Sequence, residues 1–246
     1  MPKTIILIPS RMSATRLPGK PLFMINDLPI ISHVVNKAKK TNIGRVVVCT
    51  EDDEIFKEVK KNGGEAVITS KKHKSGSDRI YEAFKKLEIE KVDYILNLQG
   101  DEPNIEEKDI INLNKSMIEN NSDIGTLATN IRDNSILKNK NVVKVALKEK
   151  LSSKNFPIAL DFARKDLSNE YENIYQHIGI YIFKTNILEK FINFDQTKNE
   201  VENSLEQLRA LDNNININVG LAKSSPIGVD TMEDYLALKK IMEYKS

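Results

Sequence analysis

The stretch TIILIPSRMSATRLPGKPL (Thr4–Leu22) decides the fold. Thr4–Ile8 is an almost unbroken apolar run and reads as a buried strand. A loop follows at once, carrying Arg11, Arg16 and Lys20 between Pro18-Gly19 and Pro21. Three cations at the end of a strand either solvate a surface loop or hold something anionic there. Proline and glycine favour the second reading, because rigid turns keep side chains in place. The loop has neither G-x-G-x-x-G nor G-x-x-x-x-G-K-[ST], so a dinucleotide fingerprint and a Walker loop are both absent.

Further along, short apolar runs alternate with helical patterns. Strands are expected at Thr4–Ile8, Arg45–Thr50, Glu65–Ile68 and Tyr94–Leu98, and helices near Pro29–Lys40, Asp52–Lys61, Ser77–Leu87 and Glu106–Glu119. Alternation of this kind builds βαβ units: an α/β fold with a mostly parallel central sheet and helices on both faces. Two helix starts carry capping-box spacing, Thr50 with Asp53 and Asn104 with Glu107. The second half is less regular. Asp123–Asn130 and Val142–Leu147 suit strands around a polar connector at Asp133–Asn141, and Ile174–Phe183 is a strand. Helices are expected at Val201–Leu211 and Met232–Glu243, and Asn213–Asn218 reads as loop or edge material. The expectation is one domain over 1–246, with an arm or insertion at about 135–210.

Composition narrows the classes. The 246 residues carry 37 basic and 35 acidic side chains, a net charge of +2, which gives no support for a nucleic-acid surface. No apolar stretch approaches the roughly 20 residues of a membrane helix, and the N-terminal apolar run is too short for a signal peptide. Cys49 is the sole cysteine, which rules out an intramolecular disulfide. The cytoplasm is the expected compartment.

Five other motifs bear on chemistry. NLQGDEP (Asn97–Pro103) ends a strand with adjacent carboxylates, and Asp101 there suits magnesium, which one or two carboxylates plus phosphates usually hold. An ordinary turn with Glu102 in solvent is the plainer reading. In GVDTMED (Gly228–Asp234), Thr231 and Asp234 have capping-box spacing, and Asp230 either favours the helix dipole or offers a second carboxylate. TSKKHKSGSDR (Thr69–Arg79) is a glycine-containing loop running into a helix whose N-terminal amides can receive nucleotide oxygens, with Ser77 as its expected cap. HIGIYIF places His177, Gly179, Tyr181 and Phe183 on one strand face and the isoleucines on the other. In SLEQLR (Ser204–Arg209), Val201, Leu205 and Leu208 form a helical stripe with Glu206 and Gln207 beside it. The plainer reading of Glu206 and Arg209 is a solvated i,i+3 pair.

Taken together and in this order, the motifs resemble the cytidylyltransferases that activate 3-deoxy-sugar acids. The resemblance extends from residue 4 to about 240. It implies a Rossmann-like nucleotide-diphospho-sugar transferase fold with an inserted dimerisation arm. It also implies an enzyme that uses CTP and 3-deoxy-D-manno-octulosonate (Kdo) with Mg2+, serves lipopolysaccharide synthesis and works as a homodimer, without nucleic acid or membrane. Carried over residue by residue, Arg11, Lys20, Asp101 and Asp230 are the catalytic set, with Arg16 assisting and Asp101 and Asp230 as metal ligands. Pro9, Arg11, Lys20, Ser75, Gly76, Arg79 and Asp101 bind the nucleotide. Gln99, Arg164, His177, Tyr181, Glu206 and Gln207 meet the sugar acid, whose carboxylate needs a cation or donors that His177 and Gln207 could supply. LEQLR leans towards Kdo over sialic acid, and 8-amino-Kdo stays open, as does a non-catalytic nucleotide-binding regulator. One region departs from the family: in LDFARKDLSNEYENIYQ only Phe162 and Arg164 match, and a Pro-rich turn is missing.

Overall fold

The computed structural model describes residues 2–13, 16–73, 75–223 and 225–244. The chain divides into two compact units, Met1–Lys108 with Pro226–Ser246, and Asp109–Ser225.

The first unit contains a wholly parallel four-stranded sheet in the order β6-β1-β4-β5. Its strands are β1 (Thr4–Ser10), β4 (Val46–Thr50), β5 (Ala66–Ile68) and β6 (Tyr94–Asn97). Buried positions follow one another along β1 and β4 without alternation, as expected of strands covered on both faces. Helices α1 (Ile30–Lys40), α2 (Asp53–Lys61) and α3 (Gly76–Lys86) make the crossovers. Helix α9 (Met232–Glu243) starts on the expected capping box, Thr231 with Asp234. A two-residue pair, β2 (Met24–Ile25) with β3 (Leu28–Pro29), follows the opening loop.

Two helix starts differ from expectation. Thr50 is the last residue of β4, where its hydroxyl accepts from the Asp52 amide, and Asp52 occupies the cap position of α2. For α3 the cap is Ser75, whose side chain accepts from the Asp78 amide, while Ser77 lies inside the helix and is buried. A hydroxyl three residues before Asp78 completes the local bond; Ser77 would leave that amide unmet.

Helix α4 (Glu107–Asn120) leads into the second unit. There β11 (Ile217–Leu221) pairs parallel with β7 (Ile124–Thr129), and β7 pairs antiparallel with β10 (Ile174–Lys184). A branch of antiparallel strands, β8 (Lys144–Leu147) and β9 (Ala159–Ala163), joins β10 through β8. Short α5 (Ser135–Lys138) lies in the connector, and α6 (Thr185–Asn193) follows β10. Between His177 and Tyr181, β10 advances four residues while β7 runs two, from Ala128 to Thr126, so that β10 carries two extra residues at this irregularity. Two extra residues leave the side-chain alternation intact. His177, Tyr181 and Phe183 therefore share a face, with ring centroids 5.5 and 6.0 Å apart in succession, while Ile178, Ile180 and Ile182 are buried.

The expected helix over Val201–Leu211 is instead two: α7 (Lys198–Asn203) and α8 (Leu208–Asp212). Ser204 ends α7 in the left-handed conformation, φ 52°. The buried stripe is broken accordingly, with Leu205 and Leu208 inside and Val201 exposed. Arg209 does not reach Glu206 as a solvated pair. It turns back to Glu200, donating from Nε at 2.8 Å and Nη2 at 2.5 Å, and both residues are buried.

Candidate active site

The carboxyl ends of β1 and β6 open into a cleft of about 360 Å3 within the first unit. Its lining includes Pro9, Arg11, Arg16 and Lys20 from the opening loop, and Gln99 with Asp101 from the turn after β6. Ser75, Gly76 and Arg79 from the start of α3 and Asp230 before α9 complete it. Among the residues assigned to nucleotide, metal or catalysis, none lies elsewhere. The backbone explains the convergence. Gly19 takes φ 77°, turning the loop into a 3-10 segment at Lys20–Leu22. Gly100 lies so close to β1 that a Cβ would stand 3.0 Å from the Pro9 carbonyl. The Val229 amide donates to the Asp101 carbonyl at 3.0 Å, tying the two carboxylate-bearing turns together.

At the centre, the Lys20 ammonium donates to Asp101 Oδ2 and, at 3.1 Å, to Asp230 Oδ1. Arg16 donates to Asp230 Oδ2 at 2.7 Å. Burial alone would lower the Lys20 pKa; the two aspartates outweigh it and raise it. Glu102, expected in solvent by the plain reading of the turn, is enclosed. Its Oε2 is buried with no hydrogen-bond partner among the described residues. Burial first, then the neighbouring charges of Asp101 and Asp230, push its pKa up to about 8. The two aspartates are thus paired with Lys20 and Arg16, while the Glu102 oxygen beside them has no partner among the described residues. Two converging aspartates of all-oxygen chemistry suit a hard divalent cation that takes its remaining ligands from phosphates. No larger His/Cys/Asp/Glu cluster that could hold a metal occurs among the described residues.

Arg79, assigned to the nucleotide, lies beneath the surface of the cleft. It is buried, donating to Glu51 and to Thr69 Oγ1 at 2.7 Å, and so forms part of the floor of the cleft. Arg11 is exposed at the rim. Sequence reading passed over His73, which lines the same cleft, and its partner Glu82 on α3. Their spacing of nine residues matches no local motif.

The residues assigned to the sugar acid divide. Gln99 lies in the cleft, and the others belong to the second unit. There His177 Nε2 is 3.0 Å from Thr126 Oγ1 and 3.1 Å from the Tyr181 hydroxyl. Desolvation pushes the His177 pKa down to about 3, so the ring is neutral at physiological pH and supplies no cation. Burial and then the nearby Glu206 charge raise Tyr181 well above its ordinary range. Glu206 and Gln207 occupy the link between α7 and α8. Phe162, one of the two matching residues of the divergent stretch, packs edge-on to the His177 ring at 5.1 Å. The Arg164 guanidinium lies 3.4 Å from the carbonyls of Lys140 and Asn141, while its own carbonyl accepts from buried Lys144.

Comparison with known proteins shows the family. A sequence profile described as cytidylyltransferase matches residues 5–217. A 3-deoxy-manno-octulosonate cytidylyltransferase of Bartonella tribocorum is 42% identical over 97% of this chain and 98% of its own. One of Thermodesulfovibrio yellowstonii is 40% identical over 97% and 98%. Among solved structures, CMP:2-keto-3-deoxy-manno-octonic acid synthetase complexed with CTP superposes with a TM-score of 0.90 at 31% identity, covering 99% of this chain and all of that one. A nucleotidyl transferase of Methanothermobacter thermautotroptrophicus, 11% identical with a TM-score of 0.64, shares the fold. The mixed α/β architecture with a mostly parallel sheet is that of these nucleotidyltransferases.

Proposed function

The chain belongs to the cytidylyltransferase family, and on that premise we propose that it transfers CMP from CTP to the anomeric hydroxyl of Kdo. The products are CMP-Kdo and pyrophosphate, and the step serves lipopolysaccharide synthesis in the cytoplasm. The observation that carries the reading is the Lys20 ammonium held between Asp101 and Asp230 in a cleft walled by the N-terminus of α3.

In this reading the sugar hydroxyl oxygen forms a bond to the α-phosphorus. The bond from that phosphorus to the β-bridging oxygen breaks, its electron pair leaves with pyrophosphate, and the hydroxyl proton passes to solvent. Little covalent work falls to the protein, so catalysis is positioning and charge stabilisation. Arg11, Arg16 and Lys20 bring three cations to the triphosphate. Lys20, already desolvated, gives each contact more weight than it would have in water. Pro9 and the Ser75–Gly76 turn bound the nucleoside end; a Cβ on Gly76 would stand 3.4 Å from the Pro9 ring. Asp101 and Asp230 would hold magnesium, which when bound supplies Lewis-acid neutralisation of the phosphoryl oxygens. Neutral His177, Tyr181, Glu206, Gln207, Gln99 and Arg164 are assigned to the sugar acid through hydrogen bonds, with Arg164 as the one cation of that set. We also assign the 135–210 stretch to a homodimer contact. The antiparallel β8–β9 branch and the exposed Leu160 and Val201 in that stretch support this.

The test is pyrophosphate release from CTP and magnesium with Kdo, 8-amino-Kdo and sialic acid offered in parallel. Turnover with Kdo, abolished by chelating the metal, is expected. Turnover only with another acid would overturn the substrate but leave the transfer standing. No release with any of the three would overturn the transfer itself.

A further inference from the structure

The segment Thr69–His73 between β5 and α3 has no regular structure, yet it is tied to α3 at several points. Glu82, two turns into that helix, accepts from the Ser70 amide at 2.9 Å, from His73 Nε2, and from Lys86 at 2.7 Å. From the other side, Arg79 donates to Thr69 Oγ1. Burial would raise the Glu82 pKa, but these donors outweigh it and bring it to about 2, so the carboxylate stays charged throughout the working range. A charged carboxylate accepts only, so the bonded His73 nitrogen carries the proton and the ring is fixed in one orientation. His73 lines the cleft; Glu82 does not.

We propose that Glu82 is a positioning residue for the nucleotide: it holds His73 and the Ser70 backbone so that the loop forms the cleft wall before CTP arrives. The inference rests on the cytidylyltransferase reading and deepens it by naming what preorganises the nucleotide side of the cleft. A loop ordered in advance loses less conformational entropy on binding, so its worth appears in nucleotide affinity. The rest of the cleft is lined by other elements, the opening loop and the turns at Asp101 and Asp230, whereas the partners of Glu82 are Ser70, His73 and Lys86.

The experiment compares the wild type with Glu82→Ala, Glu82→Gln, His73→Gln and the Glu82→Ala/His73→Gln double variant. CTP affinity is read by calorimetry, and KM for CTP, KM for the sugar acid and kcat by pyrophosphate release. Glu82→Ala is expected to weaken CTP by about tenfold, with kcat and the sugar KM within about twofold. Glu82→Gln should recover part of the loss, because its amide oxygen still accepts. The double variant should be no weaker than the worse single, because the His73 contact is already lost when Glu82 is removed. Additive losses, or a fall in kcat with CTP affinity unchanged, would overturn the proposal. If Glu82→Ala proves too unstable to assay, Glu82→Gln and His73→Gln carry the same KM-against-kcat test. Wild-type chain that binds CTP but releases no pyrophosphate would sink the transfer reaction and leave this proposal standing on the calorimetry. Failure of the wild type to bind CTP would sink both.

Discussion

Two groups of charges in this molecule obey opposite rules. In the second unit, Glu200 and Arg209 are buried together and fully used. Arg209 makes two bonds to the carboxylate and stacks over Phe191 at 4.8 Å, while Gln196 and the Thr197 amide serve the remaining carboxylate positions. In the cleft, Asp101, Asp230 and Glu102 gather around one lysine, with Arg16 at the rim, and the enclosed Glu102 oxygen has no partner among the described residues. A buried polar group without a partner costs stability, and proteins keep one where a ligand will compensate it. The first group is arranged to fold the chain, the second to receive charge from outside.

The sharpest way to break the comparison is to remove one charge from each group. Asp101→Asn keeps shape and removes a carboxylate from the cleft. Pyrophosphate release should fall by two to three orders of magnitude, about 3–4 kcal/mol of barrier. Thermal stability should hold or rise, because one of the charges that push Glu102 above its usual range is removed. A variant that unfolds would show that the cleft charges are structural after all. Arg209→Met should do the reverse. It leaves Glu200 buried without its cation, at a cost of roughly 3 kcal/mol of unfolding free energy in urea titration. Desolvation alone would raise the Glu200 pKa; the bonds from Arg209 and Gln196 outweigh it and hold the pKa below its usual value. The wild-type pair therefore stabilises the fold above the unfolded value near 4.5 and loses that contribution as pH falls through the lower folded value. The variant should lack this part of the acid dependence.

The same contrast explains what could be read in advance. The cleft was legible because its parts are short motifs, each local and each at the end of a strand whose apolar run is plain: β1 before Arg11 to Lys20, β6 before Asp101. A parallel sheet brings such ends together without further information. The capping box at Thr231–Asp234 was legible for the same reason, three residues deciding it. What escaped depends on partners distant in sequence. The helical period through Val201, Leu205 and Leu208 is real, but the Glu200–Arg209 pair overrides it, and no local pattern announces a nine-residue return. Glu102 escaped because burial, not sequence, separates it from its neighbour Asp101. His73 with Glu82 escaped because only the helix start at Ser75 brings them into reach.

The smallest effect sharpens that last point, because it tests whether the break between α7 and α8 is held by Arg209 alone or also by the backbone. Ser204 sits at φ 52°, ψ 46°, a conformation that costs a β-carbon-bearing residue of its kind and costs glycine little. The Leu205 amide, bonded to the Glu200 carbonyl at 3.2 Å, needs that turn to close. Ser204→Gly should therefore stabilise the chain by about 0.5 kcal/mol in urea titration with an unchanged slope, glycine's extra freedom in the unfolded chain offsetting part of the gain. Ser204→Ala, which extends helical preference but keeps the β-carbon, should destabilise it slightly. If alanine were the more stabilising of the two, the break would be under tension from the helices, and Arg209 would be holding it open against the backbone.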